Sequence, residues 1–472
     1  MKKRLFTIII VVVLTFALMA SASAASFTHL ADELNALGLF RGSDTGYDLE
    51  SAPNRGQALV MLIRLYGLED EALECESENP FSDVSGWLVP YVAFAFENGF
   101  TTGTSETTFS PNDLCTAQMY VTYVLRALGY SSEEGGDFTY AEAIEFAMSI
   151  KIIDTLISEG EFLRDQMVAV SYLALLTAPK GGEYVTLLDK LVDDGAVDEA
   201  IADVVISKLA MYSEYMAIGA GIDSNSIAMI MKAFIDFGMV GKITAEMDAS
   251  VIVGNDMDDT ICAANVDIDI AVMLTRKMSV KMYIADGMFY IDQDGNKTKR
   301  DAGIEDVDNI LSIAEIVTVL PLYIYSEITK DVKDGQTVYA LKVAESFVDS
   351  MMSELLAMQA EADAEADAGA FDLSMLGIGG MGLDDLNLSF KEPVINYITD
   401  SDGVLKKITI EANGSMQVEV LGIKIPNNIK LTVEMEITAM GDDVTVNLPD
   451  DLDTYVYSNE VISDSEDLPE ED

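Results

Sequence analysis

The residues of this chain that could do chemistry are few in kind. There is one histidine, His29, and there are three cysteines, Cys75, Cys115 and Cys262, against 81 aspartates and glutamates. A single histidine excludes Ser-His-Asp and Cys-His nucleophilic catalysis and any multi-histidine metal site. His29 also falls a few residues past a small-residue cleavage signal, where a loose segment is expected. The odd number and scattered spacing of the cysteines argue against a disulfide framework or a zinc site, although one pair could form. Paired carboxylates could hydrolyse a glycosidic bond. However, 8% aromatic residues and one tryptophan, Trp87, make a poor sugar-cleaving cleft. Gly377 to Gly382 formally fits G-x-G-x-x-G. No strand pattern enters it and no helix pattern leaves it, so a nucleotide site is rejected in favour of a flexible loop. The expectation is a protein that is not an enzyme and uses no cofactor. Weak calcium capture by its carboxylates stays open.

Composition and the N-terminus set the compartment. The formal net charge is −53, which repels nucleic acid and anionic membranes. Lys2, Lys3 and Arg4 precede an apolar run from Leu5 to Ala20, then Ala22-Ser23-Ala24. That is the plan of a secretory signal peptide over residues 1–24. The run is short for a membrane span, and no later apolar stretch is long enough to be one. An exported chain with no transmembrane segment after cleavage is expected.

Repeats then appear. Leu39-Phe40-Arg41-Gly42 lies over Phe100-Thr101-Thr102-Gly103, and thirteen residues lead from each glycine to Arg55 or Thr116. Each copy runs on into an apolar helix closed by Gly67 or Gly129, placed for left-handed C-caps. A third copy covers about 138–178, with a helix from Tyr140 to Ile153 and another after Leu163-Arg164-Asp165-Gln166. A two-helix unit cannot bury its apolar stripe alone, so the copies must pack on one another.

The segment 81–130 resembles an S-layer homology (SLH) module. Three such modules are assigned at 27–73, 79–130 and 137–179 within residues 27–180. The resemblance implies an all-α, pseudo-threefold domain that ties an exported protein to a cell-wall secondary polymer. In that family an Arg at the start of the second helix, with an Asp, a Trp and a loop Gly, lines a groove for an anionic, often pyruvylated, sugar. Carried over, the polysaccharide-binding residues are Arg55, Arg164, Asp83, Trp87, Gly42 and Gly103. A guanidinium grips a carboxylate bidentately, and an indole offers a flat face to a sugar ring. The middle copy reads Cys115-Thr116-Ala117-Gln118 where the Arg is expected, so it lacks one. Asp83 also suits a helix cap.

The C-terminal half has a different texture. Residues 181–240 read as a helical connector. From Ile243 the pattern alternates, as half-buried strands do. Asp-Gly or Asn-Gly turns are predicted at 286–287, 294–295, 402–403 and 413–414. Helical patterns fall at about 304–319 and 339–360, and strands resume through IKLTVEMEITAM and a short VTVNL. Residues 241–457 are therefore expected to form an α+β domain, a large antiparallel sheet with packed helices. The stretch MYIADGMFYIDQDGNKTK loosely resembles the half-barrels of LolA-like lipoprotein domains. That resemblance implies a lipid or other apolar ligand between sheet and helices, with Met278, Met282 and Met288 suiting an adaptable pocket. Residues 458–472 read as a disordered acidic tail. A surface protein anchored to wall polymer is the leading expectation. A structural envelope component and a carboxylate-based surface hydrolase are the alternatives.

Overall fold

The computed structural model describes residues 27–42, 46–154, 157, 161–219, 226–239, 241–272, 274–303, 306, 320–348, 389–420 and 423–457. The signal peptide expected at 1–24, the helix expected at 304–319 apart from Asp306, the later part of the helix expected at 339–360, the loop expected at Gly377–Gly382 and the tail expected at 458–472 lie outside these residues.

The N-terminal half is helical: α1 Thr28–Ala36, α2 Arg55–Leu65, α3 Glu69–Leu73, α4 Val89–Glu97, α5 Ala117–Ala127, α6 Ala143–Ser149, α7 Arg164–Leu175, α8 Leu187–Asp193 and α9 Glu199–Gly219. Local chemistry sets the boundaries. Asn54 accepts from Gln57 N at 2.8 Å while Gln57 accepts from Asn54 N at 3.1 Å, a capping box that opens α2. Thr116 caps α5 through Met119 N at 3.3 Å. Gly67 (φ 66°) and Gly129 (φ 93°) close α2 and α5 in the left-handed conformation expected of them.

Helices α2, α5 and α7 each touch the other two. They form a three-sided core from Leu59, Leu62 and Ile63, from Tyr120, Val121 and Val124, and from Val168, Tyr172 and Leu175, all fully buried. Tyr120 and Ser171 share a buried hydrogen bond of 2.7 Å between α5 and α7. Helices α1, α4 and α6 precede the three core helices in sequence, so the half comprises three helix–loop–helix units.

Among the described residues of the second half, twelve strands form one sheet: β1 Ser226–Asp236, β2 Gly241–Ile252, β3 Ile261–Val272, β4 Leu274–Ala285, β5 Met288–Gln293, β6 Asn296–Asp301, β7 Tyr325–Lys333, β8 Gln336–Val343, β9 Ser389–Thr399, β10 Leu405–Val420, β11 Ile423–Met440 and β12 Val456–Tyr457. The order is β12-β6-β5-β4-β3-β2-β1-β11-β10-β9-β8-β7, an open sheet. Neighbours run antiparallel, except that β12 lies parallel to β6. Helices plus a large open sheet agree with the α+β expectation. One face buries Ile227, Met229, Met247, Val266, Ile268, Met278, Val433 and Met435. Helix α9 packs against β7 at the sheet edge.

Four expectations need correction. The apolar stretch ending the 181–240 connector is β1, which lies centrally between β2 and β11. Its methionine-rich run reads as helix, but alternate residues from Ile227 to Ala233 are buried, a strand period. Residues 339–343 belong to β8, not to a helix. Residues 444–448 form no strand; Val446 and Leu448 pack on a small cluster around Tyr290 and Tyr455. Finally, Asn413-Gly414 is no turn, because β10 runs through it for 16 residues. A Cβ on Gly414 would lie 2.3 Å from Ser389 O, so this glycine admits close approach of β9. The turns at Asp286-Gly287, Asp294-Gly295 and Asp402-Gly403 do join strands.

Candidate functional site

The carried-over residues fall at two junctions between helix–loop–helix units. At the first, the N-terminus of α2 enters the loop that precedes α5. Arg55 N donates to Asp113 O at 2.9 Å and Gly56 N to Pro111 O at 3.0 Å. The Arg55 side chain follows: Nε donates to Phe109 O at 2.8 Å, Nη1 reaches the Met119 sulfur at 3.4 Å, and the guanidinium lies 4.8 Å from the centre of the Phe109 ring. Arg55 is only 5% exposed, yet its charge is stacked and hydrogen-bonded. Two of the five guanidinium N–H groups are engaged in this way, which leaves three.

Asp83 holds the other side of the same loop. Its two oxygens accept from Phe109 N at 2.9 Å and Ser110 N at 2.8 Å. Ser110 is left-handed, with φ 57°. Desolvation pulls the Asp83 carboxyl up, but these two N–H groups and the nearby Arg55 charge outweigh it and hold it below the usual carboxylate range. Asp83 thus caps a loop rather than the helix that follows it. Gly103 underlies the loop at φ 74°, where a Cβ would lie 2.3 Å from the Phe81 ring and 2.6 Å from Thr108 O. Trp87 borders the junction. Its neighbour Leu88 abuts Gly56, close enough that a Cβ there would lie 2.9 Å from Leu88 Cδ2. The indole is 66% exposed, braced edge-on by Tyr91 with ring centres 6.0 Å apart.

The second junction repeats this pattern between α7 and the loop of the first unit. Arg164 N donates to Ser51 O at 2.9 Å, Asp165 N to Leu49 O at 3.0 Å, and Arg164 Nε to Tyr47 O at 3.0 Å. Each acceptor lies the same number of residues before its counterpart at the first junction, and Asp48 (φ 54°) stands where Ser110 does. Gly42 belongs here, with Tyr47 beside it. The structure therefore brings Arg55, Asp83, Trp87 and Gly103 together, and Arg164 with Gly42 elsewhere. Sequence reasoning missed Phe109 and Tyr47, whose carbonyls receive the two arginines; a backbone acceptor leaves no signature in residue type.

Of the remaining reactive groups, Cys115 and Cys262 are buried, while His29 and Cys75 are half-buried. His29 is not loose: its Nε2 is 2.6 Å from Tyr323 O, and Nδ1 is buried without a hydrogen-bond partner. Burial pushes its pKa down to about 4, against the raising pull of that carbonyl. All three cysteines are free, and burial pushes the Cys115 and Cys262 thiols up to about 12. Among the described residues no group of three His, Cys, Asp or Glu side chains is placed to hold a metal, and no helix is long and apolar enough to cross a membrane.

No protein-family model matches the chain. It is similar to a cell surface protein of Thermoanaerobacter kivui, 26% identical over 260 residues, which are 50% of this chain and 31% of that protein. It is also similar to the middle cell wall protein of Brevibacillus brevis, 27% identical over 139 residues, or 28% of this chain and 13% of that one. The chain thus spans less than a third of the length of these relatives. Both are named for the cell surface or wall. Among solved structures, lipoprotein LppX of Mycobacterium tuberculosis aligns over 51% of this chain and 98% of its own at 10% identity, with a TM-score of 0.23. That score is too low to carry an argument about ligand or fold.

Proposed function

We propose that this is a non-catalytic cell-surface protein held to an anionic wall polymer through SLH-type units in its helical half. The observation that carries the reading is the repeated junction. Twice, an arginine opening a second helix docks into the loop of another unit through matching hydrogen bonds. At the first of these an exposed tryptophan, Trp87, borders the junction through its neighbour Leu88, which abuts Gly56. Sugars stack on such an indole, and the three unengaged guanidinium N–H groups suit a carboxylate. The relatives' names agree with this location. The half-buried His29 and the raised thiols of Cys115 and Cys262 favour a non-catalytic role, because none presents an activated nucleophile or base. The methionine-rich buried face of the sheet fits an apolar ligand as the second function.

The test uses the full mature chain and purified wall sacculi. Co-sedimentation is expected with intact sacculi, several-fold weaker for Arg55→Ala and Trp87→Ala. Equal binding to sacculi stripped of secondary polymer refutes the anchoring reading.

A further inference from the structure

The outer face of the sheet carries a second feature, unrelated to the helical junctions. In register across five strands lie Lys391 on β9, Asn413 on β10, Lys430 on β11, Asp236 on β1 and Lys242 on β2. Two residues along, Ser389, Ser415 and Asn428 form a parallel row on the same face. Lys391, Asn413, Lys430, Asp236, Ser415 and Asn428 line a pocket of about 470 Å³. Alternate strands place the three lysines about 10 Å apart, at roughly 4.8 Å per strand.

Lysines and arginines are outnumbered 28 to 81 by aspartates and glutamates. Ten of the described lysines form ion pairs. In the neighbouring concavity on the same face, Lys232 pairs with Glu246 at 3.2 Å and Lys277 with Asp269 at 2.9 Å. Lys391, Lys430 and Lys242 are in no ion pair among the described residues, and Asp236 turns an oxygen to Gly238 N at 2.8 Å. Three ammonium groups in no ion pair therefore share one row with the Asn413 amide and the Asp236 carboxylate, and the adjacent row adds two hydroxyls and an amide. Screening over about 8–10 Å leaves such local charges to dominate at the pocket.

We propose that this pocket binds an oxyanion carried on a polyhydroxylated polymer, either the carboxylate of an acidic polysaccharide or the phosphodiester of a polyol phosphate. Lysines on alternate strands meet regularly spaced anions. Asn413, Asn428 and Ser415 donate to and accept from the hydroxyls between them. The site does not depend on Arg55 or Trp87, and the two can be separated by mutation.

Affinity electrophoresis of the full mature chain tests this, with polygalacturonate, a polyol phosphate polymer, neutral dextran and inorganic phosphate as probes. Retardation by one of the two polyanions is expected, none by dextran, and which polyanion acts identifies the oxyanion. K391Q/K430Q should weaken it about tenfold, also in an Arg55→Ala background, while K391R/K430R retains it. K180Q/K190Q makes the same change in net charge elsewhere and should leave binding intact. Equal loss in that control, dextran binding as strong as polyanion binding, or response to inorganic phosphate alone overturns the proposal. These lysines are exposed, so unchanged thermal unfolding of K391Q/K430Q is expected alongside.

Discussion

Lys208 on α9 lies 2.5 Å from Glu33 on α1, and this ion pair ties α1 to the helix that packs against the sheet edge. Lys208 is only 5% exposed. Its ammonium also reaches Tyr325 O at 3.4 Å, while Tyr172 donates to the second Glu33 oxygen at 2.8 Å. Burial pulls the lysine pKa down and Glu33 pulls it back up. Replacing one partner leaves the other charged and enclosed. Lys208→Ala should therefore cost about 3–5 kcal/mol in denaturant unfolding, whereas Lys208→Met with Glu33→Gln should cost much less. A single-variant loss below about 1 kcal/mol would show the pair to be dispensable.

Two desolvated groups near the start of α1 pull the pH dependence in opposite directions. His29 is depressed to about 4, so its neutral form is favoured by the fold. Its contribution is complete above the unfolded value of 6.5 and is lost as pH falls towards 4, about 3 kcal/mol in all. Asp165, whose Oδ1 accepts from Phe27 N at 2.8 Å, is pushed up to about 7 by burial, opposed by that N–H. Its protonated form is favoured, so its contribution is complete below 3.8 and is lost as pH rises to 7, about 4 kcal/mol. Between pH 4 and 6.5 the two nearly cancel. Unfolding free energy against pH should be almost flat there in the parent. Asp165→Asn should uncover a loss towards acid, and His29→Gln a loss towards neutrality. Parallel curves for all three proteins would refute this compensation.

Legibility followed the reach of each interaction. The glycine caps at Gly67 and Gly129 and the Asp-Gly turns were readable because a left-handed backbone restricts residue type locally. By the same rule Asp334-Gly335, with φ of 54° and 80°, announces the β7–β8 hairpin, a signal overlooked beside a helical-looking apolar run. Asn413-Gly414 misled because glycine serves equally at a turn and at a close strand contact. Of the site, the resemblance to SLH modules, carried by the repeats, pointed to Arg55, Asp83 and Trp87. Nothing local disclosed that Arg55 would spend its Nε on a loop carbonyl, or that His29 would be sealed against Tyr323. Those partners are 54 and 294 residues away.

The two-pronged grip of Asp83 makes a sharper distinction than simple loss of charge. Both oxygens already accept backbone N–H groups, so the residue shapes the junction rather than touching a ligand. Asp83→Ala removes both acceptors and should cost about 1 kcal/mol, the scale of a lost capping side chain. Asp83→Asn keeps the shape, but its amide nitrogen would face one of the two N–H groups donor to donor. Asparagine should therefore weaken wall-polymer binding nearly as much as alanine does. In both variants the Phe109 carbonyl loses its support, so the Arg55 guanidinium loses its fixed orientation. The measurement is co-sedimentation with intact sacculi, set against thermal unfolding of the same proteins. Full binding by Asp83→Asn would show that one acceptor suffices and that the loop clamp is not what orients Arg55.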